Sequence, residues 1–329
     1  MASLTDSWTL GGMEIPNRVV LAPLAGIGNW FVRLQARRHG AGLVFSEMVS
    51  SHAVHYRNER TCTELLRIHP DERPGPVAIQ LFGSDPEVMR SAAATVAAAG
   101  ADLIDLNMGC PVPKVCKTGA GAALLGDPAR ALAVARAAAE GSGLPVTVKL
   151  RSGLRTGDRD GFHLARRLVD EAGVAGISFH PRSAAVHHAG RPDYELAAEL
   201  VRTLDAPVIL SGGMRSAEAV RAAHEQTGAA AVMLARGALG NPWLFEQALG
   251  RREDEPTRAE VLGELDWVID RAVEHLGEER AARYLRKFYP WYLHRLDAPA
   301  PAADRLARCD STAEARAVLG HPEGLAAVR

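Results

Sequence analysis

The sequence predicts an α/β protein, a (β/α)₈ TIM barrel followed by a small helical bundle, and three observations carry that prediction. Between Val19 and Leu234, eight short runs of β-branched and apolar residues alternate with longer amphipathic stretches. Strand–helix alternation of this kind implies a parallel sheet. Most of the runs are almost continuously apolar, as strands covered on both faces must be. Eight of them in about 220 residues match a closed barrel, which typically takes about 250. A doubly wound open sheet would have fewer strands and a glycine-rich turn after the first, where this chain has Pro23-Leu24-Ala25-Gly26.

The elements follow in order. Trp8–Leu10, Gly11-Gly12 and Met13–Ile15 read as a small hairpin, expected to plug the N-terminal end of the barrel. The predicted strands are Val19–Ala22, Gly42–Phe45, Val77–Leu81, Leu103–Asn107, Val146–Lys149, Ile177–His180, Val208–Leu210 and Ala231–Leu234. Asp85-Pro86 opens a helix that runs to Ala99, and Asp127-Pro128 opens one that closes near Gly141. Ser216 caps Ala217–Gln226, which stops at Gly228. After Leu249 the composition changes: residues 250–256 form a charged linker. Helical patterns follow at Thr257–Leu276 with a capping box at Thr257/Glu260, at Glu278–Leu296, at Ala302–Arg308, and at Thr312–Leu319 behind Ser311. The division expected is a barrel over residues 1–250 and a helical domain over residues 251–329.

Composition narrows the function classes. Of the 329 residues, 47% are hydrophobic and 23% charged, which is ordinary for a soluble globular protein. No apolar run approaches the roughly 18 residues of a membrane span, and Met1–Leu10 lacks a basic-then-apolar leader. A cytoplasmic protein without a membrane partner is expected, with a monomer as the default. The four cysteines show no CxxC pair, which fits a reducing compartment. Cys110 and Cys116 fit no common zinc spacing, so no metal is expected. The formal net charge of −1 does not advertise a nucleic-acid partner, so an RNA function would need a local basic surface.

In such barrels the chemistry sits at the C-terminal ends of the strands, and this chain places unusual polar residues there. In order they are Pro23 and Ala25; Ser46 and Glu47; Gln80; Asn107 and Cys110; Lys149 and Arg151; His180 and Arg182; Ser211-Gly212-Gly213; and Arg236-Gly237. Packing alone requires none of them. The last two loops, Ser211-Gly212-Gly213-Met214 and Ala235-Arg236-Gly237-Ala238, follow strands seven and eight, where many barrels bind phosphate. Glycines allow backbone N–H groups close approach, and an arginine adds a paired donor fork; a plain turn at Gly212-Gly213 remains the alternative.

Two blocks stand out, Gln80-Leu81-Phe82-Gly83-Ser84-Asp85-Pro86 and Asp105-Leu106-Asn107-Met108-Gly109-Cys110-Pro111-Val112-Pro113-Lys114-Val115. With them go residues 117–125, Ala22-Pro23-Leu24-Ala25-Gly26, Val148-Lys149-Leu150-Arg151-Ser152-Gly153 and Arg236-Gly237-Ala238-Leu239-Gly240-Asn241-Pro242-Trp243. Together these motifs give the chain a resemblance to the tRNA-dihydrouridine synthase family. The resemblance spans residues 15–250 strongly and the tail around Arg286–Tyr292 more weakly. The Asn-x-Gly-Cys-Pro block is the specific part. It implies FMN-dependent reduction of a D-loop uridine in tRNA to 5,6-dihydrouridine, with NADPH as reductant.

Residue by residue, Cys110 matches the family's proton donor. An ordinary thiol, with a pKa of about 8.5, is mostly protonated at neutral pH and can protonate an enolate-like carbon. A buried structural cysteine is the bland alternative. Lys149 resembles the flavin-contacting lysine and Gln80 the residue on the isoalloxazine edge. Pro23, Leu24 and Ala25 would lay backbone against the ring, with His180 lining the site. Ser211, Gly212, Gly213, Ala235 and Arg236 would hold the phosphate. Here the chain departs from the family's frequent Asn-Gly-Asp and Gly-Arg patterns, and His180-Pro181-Arg182-Ser183 departs from His-Gly-Arg-Thr. Asn107, Lys114, Lys117 and Arg151 look like substrate-side residues. In the tail, basic residues interleave with aromatics, a pattern that suits RNA. Most of the aromatics are expected in the bundle core, with Arg283, Arg286 and Lys287 facing RNA. Two other functions compete: a flavin barrel acting on a free pyrimidine, and a tRNA-binding protein without redox activity.

Overall fold

The computed structural model describes residues 2–320. Eight strands close into a barrel: β3 (Val19–Leu21), β4 (Leu43–Ser50), β5 (Val77–Phe82), β6 (Leu103–Met108), β7 (Val146–Arg151), β8 (Gly176–His180), β9 (Val208–Ser211) and β10 (Ala231–Leu234). They are arranged in chain order, and β10 closes onto β3. Every neighbouring pair is parallel, so all the C-terminal ends emerge at one mouth. All eight predicted strands are present. Their ends agree with the expected ones to within two residues except in β4, which continues to Ser50 through a register shift between Phe45 and Met48. Ser46 and Glu47 therefore form an irregularity within the strand and do not follow it. A bulge bends a strand without ending it, and the polar pair interrupts the apolar run that marked the strand in sequence.

The hairpin β1 (Trp8–Leu10) and β2 (Met13–Ile15) is antiparallel. Trp8, Leu10 and Ile15 pack in one cluster with Val20, Phe45, Ala78, Leu103, Ile209 and Met233, so the hairpin seals the N-terminal end of the barrel as expected. Helix boundaries follow local chemistry. Asp85 caps Pro86–Ala98, Asp127 caps Pro128–Ser142, and Ser216 caps Ala217–Thr227, each accepting a first-turn N–H. The latter two helices end on the left-handed glycines Gly143 and Gly228. A fully buried ion pair, Arg33 Nε to Glu72 at 2.7 Å, ties helix Trp30–Arg38 to the turn before β5. The same guanidinium donates to the carbonyls of Gly28 and Arg67.

The described residues fall into two compact units that meet at Ala235/Arg236. The division lies ahead of the charged linker, because helix Trp243–Ala248 and the turn before it pack with the tail: Gly240 lies against Trp291. The second unit also contains helices Arg258–Leu276, Glu278–Leu285, Tyr289–Arg295, Ala300–Arg308 and Thr312–Gly320. Thr257 and Glu260 form the expected capping box. The single helix expected over Glu278–Leu296 is two helices. Pro290 sits in the first turn of the second, where its missing N–H costs nothing, and residues 286–288 become a turn. Phe288, Tyr289 and Tyr292 are buried in this unit, the core role expected for most of its aromatics. Among the described residues, no helix is long and apolar enough to cross a membrane.

Candidate active site

Alternate residues of a strand face the same way, so the barrel interior can be read upward from the sealed end. Above Ala78 and Leu103, which pack in the interior cluster, lie Gln80, Asp105 and Thr147, paired in register. One layer higher come Asn107, Lys149 and Ser178. On this side the interior changes from apolar to polar as it approaches the mouth.

The polar side chains form one connected chain. Asp105 is completely buried and accepts from Thr147 Oγ1 at 2.7 Å and from Gln80 Nε2 at 2.6 Å. Gln80 Oε1 accepts from Asn107 Nδ2 at 3.0 Å. Asn107 Oδ1 then accepts the backbone N–H of Cys110 at 2.9 Å and that of Gly109 at 3.3 Å. Ser46 Oγ anchors the Gln80 backbone N–H at 2.9 Å. Burial pushes the Asp105 carboxyl up to about 6, against the two hydrogen bonds and Lys149.

Cys110 is half-buried. Its loop is held from three sides. Besides Asn107, the Cys110 carbonyl accepts from Ala122 N–H at 2.9 Å and from the Cys116 thiol at 3.3 Å. Arg151 Nε donates to the Gly109 carbonyl at 2.9 Å. Gly121, at φ +61°, permits this closeness: a Cβ there would stand 2.6 Å from the Cys110 carbonyl oxygen.

Lys149 ends the apolar run of β7 and points into the barrel mouth. Among the described residues its ammonium makes no hydrogen bond or ion pair. Burial, helped by Arg151, pushes it down to about 8, against the pull of Asp105 and Cys110. On the neighbouring strand β8, His180 Nε2 lies 3.1 Å from Arg182 Nη1. A guanidinium can only donate, so Nε2 accepts and the ring proton sits on Nδ1. Burial and the nearby Lys149, Arg151 and Arg182 charges hold His180 far below the usual range, hence neutral. Gly212 (φ +104°) and Gly213 (φ +85°) both need the left-handed region, and a Cβ on Gly212 would meet the His180 ring at 2.6 Å. The Gly212 carbonyl accepts from Tyr194 Oη at 2.7 Å. Among the described residues, the N–H of Gly213 donates to no protein acceptor. The mouth thus offers an unpaired ammonium and an open backbone donor within a positive field, a donor set suited to an anionic ligand.

The remaining expected site residues divide clearly. Pro23 and Ala25 are accessible and Leu24 is nearly buried. Their turn is tied to β4 by Gly26 N–H donating to Glu47 Oε2 at 2.9 Å. Ser211 Oγ reaches the Phe179 carbonyl at 3.4 Å. Ala235 follows β10 in the first unit, while Arg236 opens the short turn Arg236–Ala238 of the second and is exposed. Lys114 and Lys117 are exposed beside the cysteine loop.

Three of the expected site residues are engaged by other protein groups. Gln80 is 0% exposed and its amide is bonded to Asp105 and Asn107. Asn107, expected on the substrate side, spends its amide on Gln80 and the cysteine loop. Arg151 is 4% exposed and donates to the carbonyls of Gly109, Ser183 and His187, bracing two loops. In the tail, Arg283 is exposed and paired with Glu279 at 3.0 Å, and Lys287 Nζ lies 4.6 Å from the Tyr284 ring centre. Arg286 instead donates to the Cys309 carbonyl and to Asp310.

Asp105, Thr147 and Ser178 were not singled out from sequence. Their signal is polar residues at two-residue intervals, Asp105/Asn107, Thr147/Lys149/Arg151 and Ser178/His180, within apolar strands. Among the described residues, no group of three or more His, Cys, Asp or Glu converges as a metal site would need.

Comparison with known proteins gives this geometry its family. The dihydrouridine synthase family model matches residues 20–322. The tRNA-dihydrouridine synthase B of Pseudomonas aeruginosa is 36% identical over 295 residues, covering 87% of each chain. A probable tRNA-dihydrouridine synthase 1 of Synechocystis sp. is 34% identical over 316 residues, covering 94% of this chain and 87% of that one. Among solved structures, morphinone reductase superposes with a TM-score of 0.56 at 19% identity, over 79% of this chain and 92% of that one, a likeness of fold alone. With its closed parallel barrel and the Asn107–Cys110 loop at the mouth, the chain belongs to the dihydrouridine synthase family of oxidoreductases.

Proposed function

We propose that this protein reduces a uridine in the D-loop of transfer RNA to 5,6-dihydrouridine, with FMN as bound cofactor and NADPH as reductant. The observation that carries the reading is the Cys110 thiol: half-buried, on a loop fixed by Asn107 and Arg151, at the mouth where Lys149 stands unpaired. Lys149 and the open Gly213 N–H fit the polar and phosphate ends of a flavin nucleotide. A flavin held by these groups and reduced by NADPH would supply hydride chemistry toward C6 of the uracil.

This chain's own residues do the rest. Cys110 donates its thiol proton to C5 and is refilled from solvent. Saturating the C5–C6 bond therefore takes one hydride and one proton. The positive field of Lys149, Arg151 and Arg182 favours a ligand that carries negative charge. Neutral His180 lines the site without adding to that charge. Gln80, Asn107 and Arg151 act from beneath by holding the loop.

A uridine in a folded RNA must leave its stack to be reached. We assign phosphate contacts to the exposed Lys114 and Lys117 of the barrel unit and to Arg283 and Lys287 of the helical unit, which would hold the RNA. The test is to map dihydrouridine in tRNA from cells with and without this protein. Loss of the modification at a D-loop position supports the reading, and an unchanged map contradicts it. Efficient turnover of a free pyrimidine by the pure protein would favour a small-molecule substrate instead.

A further inference from the structure

We propose that Asp105 is a positioning residue that sets the orientation of the cysteine loop from the barrel interior, acting through Gln80 and Asn107. Donor and acceptor order fixes this assignment. Both amides could fit in either of two orientations, since their oxygen and nitrogen ends have nearly the same shape. The two ends of the chain remove that freedom. At the mouth, Asn107 meets two backbone N–H groups, those of Gly109 and Cys110, and must present its oxygen. At the root, Asp105 meets Thr147 Oγ1 and Gln80 Nε2. Each carboxyl oxygen takes one of these donors, so the root of the chain presents acceptors.

Only one sequence of bonds satisfies every atom: Cys110 N–H to Asn107 Oδ1, Asn107 Nδ2 to Gln80 Oε1, Gln80 Nε2 to Asp105. Reversing either amide would set donor against donor at one end. In a buried site an unmade bond costs far more than a made one gains. The burial of a carboxylate at 0% exposure, with no arginine or lysine bonded to it, then has a purpose. It fixes an amide two links away, and that amide holds the backbone of Cys110.

The consequence for uridine reduction rests on the reading of Cys110 as proton donor, but the test does not. It measures the rate at which iodoacetamide alkylates Cys110 in the full-length protein saturated with FMN, resolved by peptide mapping, with Cys62 as an internal reference. Asp105→Leu removes the acceptor and should speed Cys110 alkylation about fivefold as the loop is released. Asp105→Asn should restore the rate to within about twofold of wild type. Its amide oxygen can still accept from Gln80 while the Thr147 hydroxyl turns to accept from its nitrogen.

In an Asn107→Ala background the chain is already cut, so Asp105→Leu should have no further effect. A merely structural role for Asp105 would instead give effects that multiply, and would disturb Cys62 as well. If Asp105→Leu does not fold, Gln80→Met breaks the same chain one link later and should give the same increase. The proposal is overturned if Cys110 alkylation is unchanged in Asp105→Leu or in Gln80→Met. It is equally overturned if Asp105→Asn behaves like Asp105→Leu, or if the double variant multiplies the two effects. Loss of dihydrouridine formation by Cys110→Ala is a separate result and bears only on the reaction.

Discussion

Substituting methionine for Lys149 keeps an unbranched side chain of similar length at the barrel mouth and deletes its ammonium. The ammonium is pushed from its ordinary 10.5 down to about 8, chiefly by burial. At about 1.36 kcal/mol for each tenfold change in proton affinity, the charged form is penalised by about 3 kcal/mol. Lys149 is only half-buried and is attracted to Asp105, so a net gain of about 1–3 kcal/mol is the reasonable range for the flavin-free variant. For a unit of this size that corresponds to about 2–10 °C in thermal midpoint.

The pH dependence gives the sign. Below pH 8 Lys149 carries its proton in both folded and unfolded chains, and the full penalty applies. Between about 8 and 10.5 the unfolded chain binds more protons than the folded one, so wild-type stability rises with pH. Methionine cannot follow that rise, and its advantage should shrink above pH 8. The assay is equilibrium urea unfolding of the flavin-free proteins at several pH values between 7 and 10. A methionine variant no more stable than wild type at pH 7, or an offset that stays constant up to pH 10, would refute the reasoning.

Three other outcomes follow from the geometry. Gly212→Ala places a methyl group in the left-handed region against the His180 ring and should cost about 1–3 kcal/mol with weakened FMN binding; fluorescence titration with FMN and a thermal scan check both. Glu72→Gln leaves the Arg33 guanidinium, 0% exposed, without its counter-charge and should cost about 3–5 kcal/mol in urea unfolding. Removing Arg283 or Lys287 by alanine substitution should weaken tRNA binding and flatten its salt dependence by about one unit of log–log slope each. Equal slopes in a filter-binding series would remove them from the interface.

How far the sequence could be read has physical reasons. The eight strands were visible because a strand covered on both faces must be apolar at nearly every position. The caps at Asp85, Asp127, Ser216 and Thr257 were visible because a helix start demands a side-chain acceptor. The continuation of β4 was hidden because Ser46 and Glu47 occupy a bulge, and polar residues in a bulge look like a strand end. The break before Tyr289 was hidden because aromatic periodicity runs across Pro290. At the site, residue identity was legible but depth was not. Gln80, Asn107 and Lys149 all point into the barrel, and a two-residue period cannot say which layer touches a ligand and which supports it. Arg151 follows the same rule: a buried arginine bracing carbonyls and an arginine facing phosphate have the same place in sequence. Arg286 carries the same lesson in the tail, where it holds the Cys309 carbonyl.

The most direct test of the proposed chemistry compares wild type with Cys110→Ala in two reactions on the same preparation, oxidation of NADPH and reduction of uridine in unmodified tRNA. Removing the acid should lower uridine reduction by about 10²–10⁴-fold, while FMN binding and NADPH oxidation stay near wild type. Near-normal dihydrouridine formation by Cys110→Ala would contradict the account, because the proton at C5 would then come from another group.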